Sequence, residues 1–239
     1  MEDLSLAVFD LLGLELDSAQ EAAFALYASE LAAWNQRFNL TSIRDPNEVQ
    51  VKHFLDSLSC WLALRNAPAE RIIDLGSGAG FPGLPLKILQ PGIQLSLVEA
   101  VGKKAAFLRH MVQELGLSGV EVLNQRAEEV GQLAGHREGY DWALARALAP
   151  MPVLAEYLLP LVKLGGRALA QKGQKAADEA HAAEEAIRLL GGGTPWVERV
   201  ELPGLSEERY LVQIVKVAPT PEKYPRRPGM PTKRPLGVG

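Results

Sequence analysis

An α/β fold, with a mostly parallel sheet carrying one antiparallel strand at or near an edge, is predicted by three features of this 239-residue sequence. From Arg71 onward, short apolar runs alternate with helical stretches, the texture of strand–helix–strand units. The first run, Ile72-Ile73-Asp74-Leu75, opens directly into Gly76-Ser77-Gly78-Ala79-Gly80, a glycine turn of the kind that joins strand to helix in such sheets. The last two runs are linked only by Pro203 to Arg209, too short for a parallel crossover and suited to an antiparallel pair.

Residues 1–66 read as a helical extension. Phe24, Tyr27, Leu31, Trp34 and Phe38 recur at spacings of three and four, one face of an amphipathic helix. Ser18 with Glu21 reads as the capping box that opens it. Asp45-Pro46-Asn47-Glu48 is a second start signal, with proline at the first helical position. Val51, Phe54, Leu55, Leu58, Trp61 and Leu62 form the next apolar stripe.

Residues 67–217 form the α/β unit. Strands are expected at Arg71–Leu75, Gln94–Glu99, Val120–Asn124, Tyr140–Leu144, Arg167–Gln171, Val197–Leu202 and Tyr210–Val217. Helices are expected near Leu84–Leu89, Lys103–Leu115, Ala127–Leu133, Pro152–Leu161 and Ala176–Leu190. Asp141 reads as a turn residue. Residues 218–239 are a proline-rich basic tail in which no regular element is expected.

With 25 Lys+Arg against 29 Asp+Glu and 47% hydrophobic residues, the composition is that of a globular protein, not a disordered or collagen-like one. Cys60 is the only cysteine, so intrachain disulfides, cysteine zinc clusters and CxxC redox pairs are excluded; it reads as a small buried hydrophobe. No metal is expected, since none of the four histidines has ligand spacing. Glu2 and Asp3 carry the wrong charge for a secretory leader, and no run of about 18 apolar residues occurs. The expectation is a cytoplasmic monomer.

The net charge of −4 hides a segregation. Six basic residues against one acid lie between Lys216 and Gly239, so this segment carries +5 and residues 1–215 carry −9. Arg226, Arg227, Lys233 and Arg234, with Lys172 and Lys175, are therefore candidate phosphate contacts for RNA.

Glycine permits positive φ and lets a ligand approach the backbone. The dinucleotide pattern GxGxxG fails because Phe81 stands where its last glycine belongs, and no GxxxxGK[ST] loop exists. Asp74, ahead of the glycines, would repel a pyrophosphate but suits a cationic ligand such as S-adenosylmethionine. Glu99, ending the second strand, is placed to hydrogen-bond ribose hydroxyls. Ala127-Glu128 fits an adenine-contacting loop, or simply an exposed helix start.

These features resemble class I S-adenosylmethionine-dependent methyltransferases. In detail the chain resembles the bacterial small-subunit ribosomal RNA guanine-N7 methyltransferases, the glucose-inhibited division protein B family. Arg37-Phe38-Asn39-Leu40-Thr41, His53-Phe54-Leu55-Asp56-Ser57, Gly76 through Pro85 and Gln125-Arg126-Ala127-Glu128 carry the match. Ala145-Arg146-Ala147, Lys172-Gly173 and Tyr224-Pro225-Arg226-Arg227 continue it. Glu99 and Lys104 depart from it, standing where family members commonly have Asp and Arg.

The resemblance implies a Rossmann-like seven-stranded sheet with a helical N-terminal extension. It further implies S-adenosylmethionine as cofactor, with S-adenosylhomocysteine as product. The substrate would be a guanine N7 in 16S ribosomal RNA, free or within an assembling small subunit. Gly76, Phe81, Glu99, Ala100, Val101, Ala127, Glu128 and Arg146 would contact the cofactor. Ser77, Gly78 and Gly80 belong to the same loop, and Tyr224 joins the tail's RNA contacts. The alternative is a methyltransferase acting on a small-molecule or protein acceptor.

Guanine N7 carries an available lone pair, so no general base is required and positioning would suffice. No Asp/Asn-Pro-Pro-aromatic motif follows the fourth strand, as exocyclic-amine chemistry would ask. Arg146 is the candidate catalytic residue, through guanine O6 or the methionine carboxylate. Asn39 and His53 are candidates for reaching over the cofactor mouth, with helix capping and a satisfied buried histidine as the competing roles.

Overall fold

The computed structural model describes residues 4–237; Glu2 and Asp3, on which the leader argument rests, lie outside the described residues. Seven strands form one sheet in the order β3-β2-β1-β4-β5-β7-β6. They are β1 Arg71–Leu75, β2 Gln94–Val98, β3 Val120–Leu123, β4 Tyr140–Arg146, β5 Val162–Lys172, β6 Trp196–Val200 and β7 Arg209–Val215. The first five pair in parallel, and β7 runs antiparallel to both β5 and β6. The expected reversed strand is thus second from the edge. The chain winds outward from β1 to β3 and returns through β4, which makes the β1–β4 boundary the switch point where ligands bind.

The helices are α1 Leu4–Leu12, α2 Ser18–Phe38, α3 Pro46–Val49, α4 Asp56–Leu58, α5 Trp61–Leu64, α6 Gly83–Leu89 and α7 Gly102–Glu114. They continue with α8 Ala127–Val130, α9 Met151–Leu158, α10 Ala176–Ala182, α11 Glu184–Leu189 and α12 Met230–Lys233. Two cores lie on opposite faces of the sheet. Ile72 and Leu97 face Phe24, Tyr27, Phe54 and Phe107 of the N-terminal side, while Ile73 and Val98 face Leu154, Leu158 and Ile187. This alternation is the two-residue period of a strand covered on both sides.

Several expected boundaries move. The capping box of α2 is Asp17 with Gln20, whose bonds measure 2.8 and 3.0 Å, one residue ahead of Ser18–Glu21. β5 starts at Val162 rather than Arg167, across a register shift opposite Tyr140 and Trp142. Gly165 and Gly166 conceal this extension, because glycine in a strand marks bulges and close backbone approach; a Cβ on Gly166 would lie 2.8 Å from Asp141 O. The expected 176–190 helix is two helices meeting at Ala183. Asp141 is no turn residue: it is 5% exposed within β4 and accepts the Glu70 and Arg71 amides while pairing with Lys163. Cys60 is fully buried.

α3 runs without a cap into a π-helical segment, Gln50–Leu55, and then into α4. Wide turns of this kind are frequent at functional sites, and His53 sits inside this one.

Candidate active site

The glycine loop leaves β1 under tension that only glycine tolerates. Gly76, Gly78 and Gly80 have φ of 66°, 61° and 101°. The Gly76 and Ser77 amides bond Val98 O at 2.8 and 3.1 Å, and the Ser77 hydroxyl bonds Asp74 O. A Cβ on Gly78 would meet nothing nearer than 3.8 Å, so its outer side is open to a ligand. Gly80 is sealed: a Cβ there would strike the Tyr27 hydroxyl and Leu84. Gly80→Ala is therefore expected to destabilise the fold by about 1–3 kcal/mol, read by chemical denaturation.

Glu99 joins the loops. One carboxylate oxygen accepts the Gly78 amide at 2.9 Å and the other accepts Val101 at 2.7 Å, while Asn124 donates to Glu99 O. Its remaining lone pairs can accept ribose hydroxyls. Ala100 and Val101 form the exposed lip beside it, and Ala127 is half-buried. With the open side of Gly78, this donor and acceptor set fits S-adenosylmethionine.

Asp74 does something other than the expected contact. It is fully buried beneath the loop, one oxygen accepting the Gly83 amide at 3.1 Å and the other without a hydrogen-bond partner. Burial raises its pKa to about 7, so near neutrality it is not a full negative charge presented to a ligand. It supports the start of α6.

Beside the loop, Phe81 lies nearly parallel to both Tyr27 and His53, at centroid distances of 5.4 and 4.4 Å. The Arg146 guanidinium rides over the same ring at 5.0 Å. Arg146, the last residue of β4, donates from one nitrogen to Lys52 O and Asp56 Oδ2 at 3.1 and 2.9 Å, and from the other to His53 Nδ1 at 3.3 Å. Arginine cannot accept, so His53 Nδ1 is the acceptor and its Nε2 carries the hydrogen, donated to Thr41 Oγ1 at 2.8 Å. Burial first, and then the Arg146 charge, lower the His53 pKa to about 4. His53 is neutral near pH 7 and has no free lone pair.

A cleft of about 330 Å³ opens here, lined by Lys52, His53, Asp56, Arg146, Gln171 and Arg209 among others. Asp56, 4% exposed, also lies 3.3 Å from Arg209 Nε, at ion-pair distance but not aligned as a hydrogen bond. Gln171 donates to Asp56 O and Ser59 Oγ, leaving its own carbonyl oxygen buried and unpartnered. Asp56, Lys52, Gln171 and Arg209 were not singled out from sequence. Asp56 lies inside the His53–Ser57 motif and Lys52 immediately precedes it; Arg209 and Gln171 carry no local signal.

Asn39 is the left-handed cap of α2, φ 48°, bonding Asn35 O and accepting from Arg44. Lys172 edges the cleft, but its ammonium is held by Ala149 O and Glu179 at 2.7 Å each. Lys175 is exposed at the start of α10.

The tail departs most from expectation. It contains a helical turn, α12, and it is docked. Arg226 grips the fully buried Glu156 through Nε and Nη2, with Nη2 at 2.6 Å, so its guanidinium is committed to an internal ion pair and not to phosphate. Tyr224 is 7% exposed, its carbonyl held by Arg137. Glu128, 4% exposed, turns its side chain to the Gly229 amide at 2.8 Å. Lys216 is buried against Glu138. Lys223, Arg227, Lys233 and Arg234 remain exposed. Among the described residues no group of three or more His, Cys, Asp or Glu could hold a metal, and no helix is long and apolar enough to cross a membrane.

A seven-stranded sheet with this strand order and a glycine loop at its switch point defines a class I S-adenosylmethionine-dependent methyltransferase. Solved structures agree on the fold: an O-methyltransferase from Thermotoga maritima matches with TM-score 0.52 at 16% identity, covering 80% of this chain and 72% of that one. A 16S rRNA (adenine(1408)-N(1))-methyltransferase from Catenulisporales acidiphilia matches with TM-score 0.52 at 14% identity, over 67% and 91%. The chain belongs to the family described as rRNA small subunit methyltransferase G (GidB), whose family model matches residues 20–204. Its relatives include the ribosomal RNA small subunit methyltransferase G of Roseiflexus castenholzii, 56% identical over 94% of this chain and 95% of the relative. That of Moorella thermoacetica is 49% identical over 94% and 93%.

Proposed function

We propose that the enzyme methylates N7 of a guanine in small-subunit ribosomal RNA, the base entering the cleft between His53, Arg146 and Gln171. The observation that carries this reading is the state of His53: neutral, with both ring nitrogens engaged by Arg146 and Thr41. His53 offers no free base and the Asp56 carboxylate is committed to Arg146 and Arg209; such a cleft suits a nucleophile that attacks as it stands, and N7 is one. S-adenosylmethionine, when bound along Gly76–Gly80 and Glu99, supplies the electrophilic methyl group.

The chain's own part is positioning. Phe81, His53 and Arg146 form a rigid wall, because each is packed or bonded to the others. The free edge of the Arg146 guanidinium can bond guanine O6. Exposed Lys175, Arg227, Lys233 and Arg234 supply phosphate attraction; Lys52 and Arg209 at the cleft mouth, like Lys172 and Arg226, are already paired with acids and drop out of that set. The family names of the relatives support ribosomal RNA over a small-molecule or protein acceptor. The enzyme is read as a cytoplasmic monomer acting on free RNA or an assembling subunit.

Arg146→Ala is expected to lower kcat/KM by about 10²-fold, measured as labelled-methyl transfer to unmodified RNA with the product base mapped by mass spectrometry. Normal kinetics in that variant, or a label on any atom but guanine N7, would refute the reading.

A further inference from the structure

We propose that residues Thr220–Lys233 are a strap that positions the 124–128 loop against the adenosine end of the cofactor, with Glu128, Glu156 and Arg226 as its fastenings. It rests on the reading that this loop holds adenosine.

The loop has little stability of its own. α8 is four residues long, and a single isolated turn does not persist in water. On one flank Asn124 fastens it to Glu99 O at 2.8 Å. On the other flank lies the strap. The Gly229 amide bonds Glu128 Oε1, Gln132 donates to Pro225 O at 2.7 Å, and the Pro225 ring sits so close that a Cβ on Gly131 would lie 2.8 Å from it. Release of the strap therefore releases one side of the loop and leaves a nearly buried carboxylate, Glu128, without its amide donor.

The strap is itself fixed to the body of the sheet rather than merely lying on it. Arg226 bonds buried Glu156 of α9 through its backbone amide, Nε and Nη2. Arg137 donates to the carbonyls of Thr220 and Tyr224 at 2.8 and 2.7 Å. Tyr157 of α9 meets both Thr232 Oγ1 and Glu128 Oε1, at 3.1 and 3.4 Å. One network thus runs from α9 through the strap to the loop. Arg226 and Glu156 act as positioning residues for cofactor affinity. Because coupling between bound sites is reciprocal, a cofactor that gains from the strap must also hold it down.

The test is calorimetric titration with S-adenosylhomocysteine, without RNA, on three variants. Removing residues 228–239 keeps the Arg226–Glu156 fastening and deletes Gly229; the double change Glu156→Gln with Arg226→Gln loosens the fastening without leaving a lone buried charge. Both should weaken Kd about tenfold, and the double variant should raise KM for S-adenosylmethionine while kcat at saturating cofactor stays within about twofold. Wild-type Kd in both, with Glu99→Ala weakened, overturns the strap and leaves the cofactor cleft standing. Unchanged Kd in Glu99→Ala overturns the cleft reading and the strap with it. Should a strap variant fail to fold, hydrogen exchange on the full chain decides: S-adenosylhomocysteine must slow exchange at residues 224–233 as well as 125–131, and protection confined to the loop refutes the proposal.

Discussion

Asp56→Ala is expected to be among the most damaging single substitutions in this chain. The carboxylate is 4% exposed and faces Arg146 at 2.9 Å and Arg209 at 3.3 Å. Removing it takes from both guanidinium groups the carboxylate they pair with, and breaking a buried pair in this way costs about 3–5 kcal/mol. Both arginines keep some solvent access, at 14% and 25% of their side chains, so the effect falls toward the lower end. Catalysis suffers for a geometric reason. Arg146 is aimed by Asp56, Lys52 O and His53, and its loss of aim should lower kcat by about 10²-fold with a smaller change in KM for cofactor, because Asp56 lies on the acceptor side. Asp56→Glu, keeping the charge on a longer stem, should recover part of the stability. Urea denaturation paired with steady-state kinetics makes the comparison; a stable, fully active Asp56→Ala enzyme would remove the ion-pair account of the cleft.

What could be read from the sequence was what is written locally. The β–α alternation, the glycine loop and the short final link are periodicity and turn chemistry, and they led to a mostly parallel sheet with one antiparallel strand near an edge. Glu99 stands at the end of its strand as expected, but its bonds to the Gly78 and Val101 amides are not legible in the sequence. The misreadings share another cause: a side chain's partner can sit far along the chain. Asp74 has the right sequence neighbours for a ligand contact, but its carboxylate turns inward to an amide nine residues on. Arg226 reads as a phosphate contact until Glu156, seventy residues earlier in the chain, is folded against it. Charge counting is likewise blind to pairing. Of the six basic residues from Lys216 onward, Lys216 and Arg226 are consumed by Glu138 and Glu156, so the exposed positive charge of the tail is smaller than its sequence suggests. Asp56 was visible inside a quoted motif, yet nothing local said that β4 and β7 would each bring it an arginine.

Two buried groups, His53 and Asp74, should leave opposite marks on stability as pH changes. His53 titrates at about 4 in the folded chain, against an ordinary 6.5, because burial and then the Arg146 charge disfavour its cation. Between those values the unfolded chain binds a proton that the folded chain refuses, so stability rises with pH from about 4 to 6.5. Asp74 titrates at about 7 against an ordinary 3.8, burial being the main cause. Here the folded chain keeps a proton that the unfolded chain has lost, so stability falls as pH rises through that window. The displacements correspond to about 3 kcal/mol for His53 and about 4–5 kcal/mol for Asp74, and because the windows overlap the two contributions largely offset in the wild-type chain. Removing either group should expose the other. Asp74→Asn is expected to show stability climbing between pH 4 and 6.5, whereas His53→Gln should show it declining between pH 4 and 7. Denaturant midpoints collected across pH 4–8 for the three proteins provide the measurement. If both variants follow the wild-type profile, neither group carries its displaced protonation in the folded state, and the neutral His53 on which the acceptor chemistry rests would have to be abandoned.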